Sequence, residues 1–286
     1  MSGLDWLLEP LHYGFMMRGL LASMMVGIIC STLGVYVILQ GMAFFGDALA
    51  HAILPGIVLA YLLGWPLAVG ALIFGILTSI GIGALSHKGE IREDTAIGIV
   101  FAGSFALGVA MLSTVGGYAV DLAHILFGDV LAVSVQDLWV MFGLSVCVLL
   151  IVLLFYKELL VLIFDPVLAK VLRLPTTFLR YLLLILIALT IVIALQTVGI
   201  ALVLAMLVTP AATAQLLTRR IPSMMLVSAI CGMAANVIGL YLSYYVNIAS
   251  GPAMVLVATL FFMLAFLFAP ERGLVIQKWK PRLQQG

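Results

Sequence analysis

Residues 181–217 read YLLLILIALTIVIALQTVGIALVLAMLVTPAATAQLL, an apolar stretch that is broken near its middle by Gln196, Thr197 and Gly199. A helix that crosses a bilayer needs about 20 apolar residues, so this stretch is long enough for nearly two crossings. Two interpretations stay open, because the break could separate two spans or could leave one span followed by a broken or half-buried helix. Both interpretations require lipid as the solvent for this part of the chain.

The rest of the chain shows the same apolar character. Of its 286 residues, 65% are hydrophobic and only 9% are charged, whereas about a quarter of the residues of a typical soluble domain are charged. Further segments long enough to cross a membrane lie at about 18–39, 44–64, 66–86, 95–116, 136–156, 222–246 and 251–269. Together with segments at 181–198 and 199–217, they predict an all-α polytopic membrane protein with about eight or nine transmembrane helices.

The Lys and Arg residues predict the orientation of the chain in the membrane. If the N-terminus is outside and every segment crosses, Arg18 is the only one of the 13 basic residues that falls outside. Basic residues concentrate on the cytoplasmic side of membrane proteins, so we expect a cytoplasmic C-terminus. The first residues lack the basic region of a cleavable signal peptide, and we expect an amphipathic segment that leads into the first helix.

The connections between the apolar segments are too short to form a soluble domain. The longest lie at about 117–135 and 157–180, so we expect a single transmembrane domain over 1–286. No G-x-x-x-x-G-K-[ST] phosphate-binding loop occurs, and any ATP hydrolysis would have to take place on a partner chain. The three cysteines have no paired spacing that would indicate a disulfide framework, and the basic residues form no nucleic-acid patch.

One charged residue stands inside an apolar segment. Asp47 lies in FFGDALAHAILPG, and His51 follows it by four positions, so the two side chains would share one face of a helix. A carboxylate in a span is costly and usually faces an interior path, and Asp with His suits a divalent cation such as Mn²⁺, Zn²⁺ or Fe²⁺. Two structural alternatives remain, namely an intrahelical Asp–His hydrogen bond and a helix cap formed by Asp47 near the membrane edge.

Other polar residues carry weaker signals. His124, between Asp121 and Asp129 in an expected outer loop, would attract cations at an entrance or serve only as a loop residue. Asn236 in segment 222–246 is expected to hydrogen-bond between helices rather than to bind a metal. The residues Gly75, Ser79 and Gly83 recur every four positions, and this spacing predicts one helix face that packs closely on a neighbour.

The connection at 157–180 predicts a short amphipathic helix on the cytoplasmic side. Asp165 can cap this helix, and Pro166 suits its first position. An apolar stripe follows, formed by Val167, Leu168, Val171 and Leu172. Such a helix can dock into a groove of a partner protein or lie on the lipid surface, and the pattern does not decide between the two.

Four motifs in order along the chain resemble the permease subunit of the ABC-type importers for manganese, zinc and iron. They are GDALAHAILPG (46–56), IFDPVLAK (163–170), VGIALVLAMLVTPAATAQLL (198–217) and LFAPERGL (267–274). The resemblance covers nearly the whole chain and implies the ABC importer permease fold in a bacterial cell membrane. It also implies an ATP-binding cassette ATPase subunit, an extracytoplasmic metal-binding protein and a second permease, either identical or related, as partners.

The resemblance also assigns roles to residues. It implies metal coordination by Asp47 and His51, and contact with the ATPase from Asp165 to about Leu174. The residues expected to couple to the ATPase are Asp165, Pro166, Leu168, Ala169 and Leu172. No permanently bound cofactor is implied, since the metal is the cargo.

The expected cargo is manganese, with zinc or iron as alternatives. Pro55 resembles the manganese and iron branch of the family more than the zinc branch. A stand-alone secondary metal transporter is the rival interpretation, although coupling to an ion gradient usually needs more than one intramembrane acid. An intramembrane metalloprotease would need a pair such as H-E-x-x-H, which does not occur here.

Overall fold

The computed structural model describes residues 9–86, 91–114, 130–269 and 273, apart from the side chains of 196–198, 200 and 201. These residues form helices and short connections, and no strand occurs among them, which confirms the all-α prediction. In chain order the helices are α1 (Gly14–Gln40), α2 (Phe45–Ala52), α3 (Leu54–Leu63), α4 (Leu67–Ser86), α5 (Glu93–Ser113), α6 (Val135–Leu154), α7 (Tyr156–Phe164), α8 (Pro166–Val171), α9 (Thr176–Leu217), α10 (Ile221–Val246) and α11 (Ser250–Phe268).

Eight stretches of the described chain are long and apolar enough to cross a membrane. They are Gly14–Gln40, Phe45–Leu63, Leu67–Ser86, Glu93–Ser113, Val135–Leu154, Thr176–Leu195, Ile221–Val246 and Ser250–Phe268. The span Phe45–Leu63 combines α2 and α3. The predicted number of about eight or nine transmembrane helices is therefore confirmed.

The long apolar stretch at 181–217 is broken at Gly199. This glycine has φ 74° and ψ 169° inside α9, a backbone conformation that glycine adopts without the steric penalty of a Cβ atom. The break leaves the span Thr176–Leu195 and a shorter apolar helix, Leu202–Leu217. At 1.5 Å per residue the second helix is about 24 Å long, less than the hydrocarbon core of about 30 Å.

The chain packs as two compact units, and the first comprises residues 1–38, 127–142 and 197–286. Within it α1 and α10 run antiparallel, since Asn236 Nδ2 donates to the Ser23 carbonyl (2.6 Å) and Ser228 Oγ donates to the Ser31 carbonyl (2.9 Å). All four side chains are fully buried. The prediction that Asn236 forms an interhelical hydrogen bond is confirmed.

The second unit comprises residues 39–126 and 143–196. Here α3 and α4 approach so closely that a Cβ atom on Gly56 or Gly70 would overlap the backbone of the other glycine. The face of α4 predicted to pack closely lies against the first part of α9. Ser79 donates to the Leu184 carbonyl (3.3 Å), and Gly83 lies under the ring of Tyr181. The single domain expected over 1–286 stays a prediction.

Candidate metal site

Asp47 and His51 lie on α2, directly before a break in the span Phe45–Leu63. Pro55 has no N–H group and cannot donate to the carbonyl of His51 four residues earlier. Ile53 therefore forms a junction between α2 and α3. Interrupted helices in membrane proteins are tolerated where they line a cavity or a path for an ion. The local sequence thus places the pair at a discontinuity inside a span.

The acid and the imidazole share one face but do not hydrogen-bond. His51 Nε2 lies 3.6 Å from Asp47 Oδ1, beyond hydrogen-bond distance. Asp47 does not cap the helix either, because the cap position is Phe44 and no side-chain cap bond is present there. Neither the hydrogen bond nor the cap is therefore present, although the two side chains lie within ion-pair distance of each other. The Asp47 side chain is 28% exposed and the His51 side chain is 31% exposed, so both are accessible to a cation.

The pair lies at the middle of a neighbouring span. The ring of His51 lies 6.1 Å from that of Phe101 and 5.7 Å from that of Phe105, measured between ring centroids. Both phenylalanines are near the midpoint of α5, which runs from Glu93 to Ser113. The imidazole is thus level with the centre of α5, although Asp47 and His51 are close to the start of the span Phe45–Leu63.

The geometry of the pair suits two ligands of one cation. Oxygen and nitrogen ligands lie about 2.0–2.2 Å from a divalent ion such as Zn²⁺, and donor atoms 3.6 Å apart would then subtend an angle of roughly 120° at the ion. The described residues contain no group of three or more His, Cys, Asp or Glu side chains that could hold a metal. Within the part of the chain that the structure describes, Asp47 and His51 are thus two candidate ligands without a third beside them.

The short helix predicted in the connection at 157–180 is present as α8. Asp165 Oδ1 accepts hydrogen bonds from the backbone N–H groups of Val167 (3.1 Å) and Leu168 (2.9 Å), as expected for a cap. Pro166 is the first helical residue, which also confirms the prediction. The helix ends where Arg173 takes φ 56° and Leu174 N donates to the Ala169 carbonyl, which resembles a Schellman ending.

The apolar stripe on α8 faces away from the rest of the chain. Its residues Val167, Leu168, Val171 and Leu172 are between 44% and 72% exposed. Ala169 is fully buried and anchors the opposite face. The helix is therefore built as predicted, and its contact with an ATPase stays a prediction.

Arg180 is a residue whose role the sequence pattern did not reveal. Its guanidinium group donates to the carbonyl and the hydroxyl of Ser86 and pairs with Glu93. These contacts join the start of α9 to the end of α4 and the start of α5. The three helix ends therefore lie on the same side of the membrane.

Two phenylalanines beside His51 were not predicted as part of the site. Phe101 and Phe105 contact His51, but a phenylalanine in an apolar span resembles a lipid-facing residue. Their spacing of four, continuing from Glu93 and Ile97, is the signal that could have indicated a shared face. The suggested role of His124 falls outside the described residues.

Comparisons with known proteins agree with the motifs. A model of the family described as "ABC 3 transport family" matches residues 12–269. The "Manganese transport system membrane protein MntC" of Halalkalibacterium halodurans is 47% identical over 98% of this chain and 96% of that protein. The "Chelated iron transport system membrane protein YfeD" of Yersinia pestis is 40% identical over 96% and 92%.

A solved structure shows the same fold. The structure "PsaBC from Streptococcus pneumoniae in complex with Fab" contains a chain that is 38% identical, with a TM-score of 0.84. The match covers 96% of this chain and 99% of that chain. Similarity in sequence and in structure therefore extends over nearly the full length.

Proposed function

The chain belongs to the ABC 3 transport family, and we propose that it is the permease subunit through which an ATP-driven importer carries manganese into a bacterial cell. The observation that carries this proposal is the Asp47–His51 pair. It combines a carboxylate and an imidazole, lies level with the middle of α5, and keeps both side chains partly exposed. An ionisable pair at such a depth is expected on an ion path.

The metal site is shared between two copies of the chain. Two protein ligands would leave a divalent cation poorly held, whereas a two-fold axis doubles them to two Asp and two His. Two carboxylates also neutralise the charge of the ion where the dielectric constant is low. The partial exposure of Asp47 and His51 in the single chain supports this arrangement, because their open side is available to a second copy.

Manganese is the cargo that the ligands and the relatives favour. Carboxylate oxygen is a preferred ligand of Mn²⁺, and imidazole also accepts Fe²⁺ and Zn²⁺. The relative from H. halodurans is named for manganese and that from Y. pestis for chelated iron. No specific observation among the described residues favours the stand-alone secondary transporter.

The packing of α1 against α10 supports nine crossings. These helices are antiparallel, so an even number of crossings must lie between them along the chain. Five of the eight spans lie there, and Leu202–Leu217 supplies the sixth. With the basic residues inside, this arrangement gives an outside N-terminus and a cytoplasmic C-terminus.

The exposed stripe on α8 is the docking surface for the ATPase subunit. It follows α7 on the side of the membrane where Arg180 joins three helix ends and where Lys and Arg concentrate. Asp165, Pro166 and Ala169 fix the helix, and Leu168 and Leu172 present apolar side chains to the partner. An extracytoplasmic metal-binding protein delivers the cargo on the opposite side.

Uptake of radioactive manganese tests the proposal, in cells that express the chain with its ATPase and binding protein. Asp47→Ala and His51→Ala should each reduce uptake to background while the permease remains folded and bound to the ATPase. Asp94→Asn is the matched control, because Asp94 is an exposed acid at the start of α5. Normal uptake by both site variants would refute the metal site. Competition by unlabelled zinc and iron ranks the three metals.

A further inference from the structure

We propose that Phe101 and Phe105 of α5 are positioning residues for the metal site, holding the His51 imidazole so that Nε2 points toward the ion beside Asp47. This inference rests on the proposed function of the Asp47–His51 pair. It adds two residues of a neighbouring helix to the surroundings of the site. Their task is to fix the orientation of the His51 ring, although they do not bind the ion themselves.

The aromatic contacts surround one side of the imidazole. The His51 ring stands at 79° to the ring of Phe105 and at 57° to that of Phe101. The two phenylalanine rings stack on each other, with centroids 5.8 Å apart and planes at 23°. Phe44 closes the group with an edge contact on Phe101, at a centroid distance of 6.1 Å. Such pairs have preferred geometries and resist rotation of the rings they contact.

Packing here takes over a task that a hydrogen bond usually performs. A metal-binding histidine normally donates its second N–H group to a carboxylate, a carbonyl or water, which fixes the orientation of the ring. Among the described residues the one carboxylate within ion-pair distance of His51 belongs to Asp47, on the Nε2 side. The orientation of the ring therefore depends on its aromatic neighbours.

The height of the two rings is itself fixed by their helix. On the same face of α5, Ile97 is fully buried, and a Cβ atom on Gly108 would collide with the side chain of Leu54. These contacts set the register of α5 against α2 and α3. The rings of Phe101 and Phe105 lie between these two anchors along α5.

The test measures both transport and binding in the permease–ATPase complex. Phe105→Leu and Phe101→Leu keep the apolar volume but remove the ring, and Phe105→Tyr keeps the ring. Ile99→Ala is the control, since Ile99 lies on another face of α5 and is 55% exposed. The readouts are the KM and maximal rate of manganese uptake, and Mn²⁺ affinity from the electron paramagnetic resonance signal of the free ion.

The leucine variants should raise KM and weaken Mn²⁺ binding about tenfold, as is usual when support for a metal ligand is lost. The maximal rate should change less. Phe105→Tyr should retain most of the Mn²⁺ affinity because it keeps the ring, and Ile99→Ala should behave like the unaltered protein. Unchanged affinity in the leucine variants, or leucine variants that cannot be recovered folded, would overturn the inference. Unchanged Mn²⁺ binding in Asp47→Ala and His51→Ala would instead remove the proposed metal site itself.

Discussion

Two polar clusters inside the spans of this chain differ in what their side chains contact. In the first unit, Asn236 and Ser228 on α10 are fully buried and donate to backbone carbonyls of α1. In the second unit, Asp47 and His51 are partly exposed and lie beside each other without a hydrogen bond. A polar side chain that is used to join two helices cannot also serve a passing ion. Under the proposed function, this difference separates polar residues that join helices from polar residues that bind the ion.

The apolar stripe on α8 extends this comparison to exposed apolar residues, which we propose to form the docking surface for the ATPase. Leu168→Asp places a charge in the stripe, and we expect almost complete loss of the ATPase from the purified permease. Lys170→Gln, a change at an exposed polar position of the same helix, serves as the control. Co-purification of a full complement of ATPase with Leu168→Asp would show that α8 lies on lipid instead.

The shared site predicts a large effect from a single defective copy. We propose to express two copies with different tags, one of them carrying Asp47→Ala, and to purify mixed dimers through both tags before reconstitution with the ATPase. Transport by the mixed dimer should fall more than tenfold, because one carboxylate cannot replace two. About half of the normal rate would instead indicate an independent path in each chain.

The hydrogen bonds that join α1 to α10 should support stability only, so a variant that loses one of them should keep the metal site. Asn236→Leu removes the hydrogen bond to the Ser23 carbonyl, and such interhelical bonds in membranes contribute about 0.6–1.7 kcal/mol. The melting temperature should fall by a few degrees, at about 2–4 °C per kcal/mol, whereas the KM for manganese should not change. A raised KM in a stable Asn236→Leu protein would break the distinction between the two clusters.

The smallest effect on stability is expected at the ion pair of Arg180 and Glu93, because both side chains are partly exposed. Their side chains are 27% and 36% exposed, so solvent weakens the interaction. Glu93→Gln should lower the stability by less than about 1 kcal/mol, and neighbouring Asp94→Asn should lower it less. Thermal unfolding of the two variants measures the difference. A larger loss in Asp94→Asn would contradict the assigned role of Glu93.

Much of the architecture follows from periodicity and composition. The apolar segments predicted the spans, the spacing of Asp47 and His51 predicted a shared helix face, and the Asp165–Pro166 step predicted the start of α8. These features depend on local sequence. The depth of His51 could not be predicted in this way, because it is set by α5, which lies about 50 residues further along the chain. The same reason concealed Phe101 and Phe105.

The stoichiometry of manganese binding tests the central claim most directly. The permease–ATPase complex is titrated with Mn²⁺, and the free ion is followed by electron paramagnetic resonance, for the unaltered chain and for Asp47→Ala. A site formed by Asp47 and His51 of two copies predicts one tightly bound ion for every two permease chains and loss of that ion in Asp47→Ala. One ion per chain, or binding that persists in Asp47→Ala, would contradict the account.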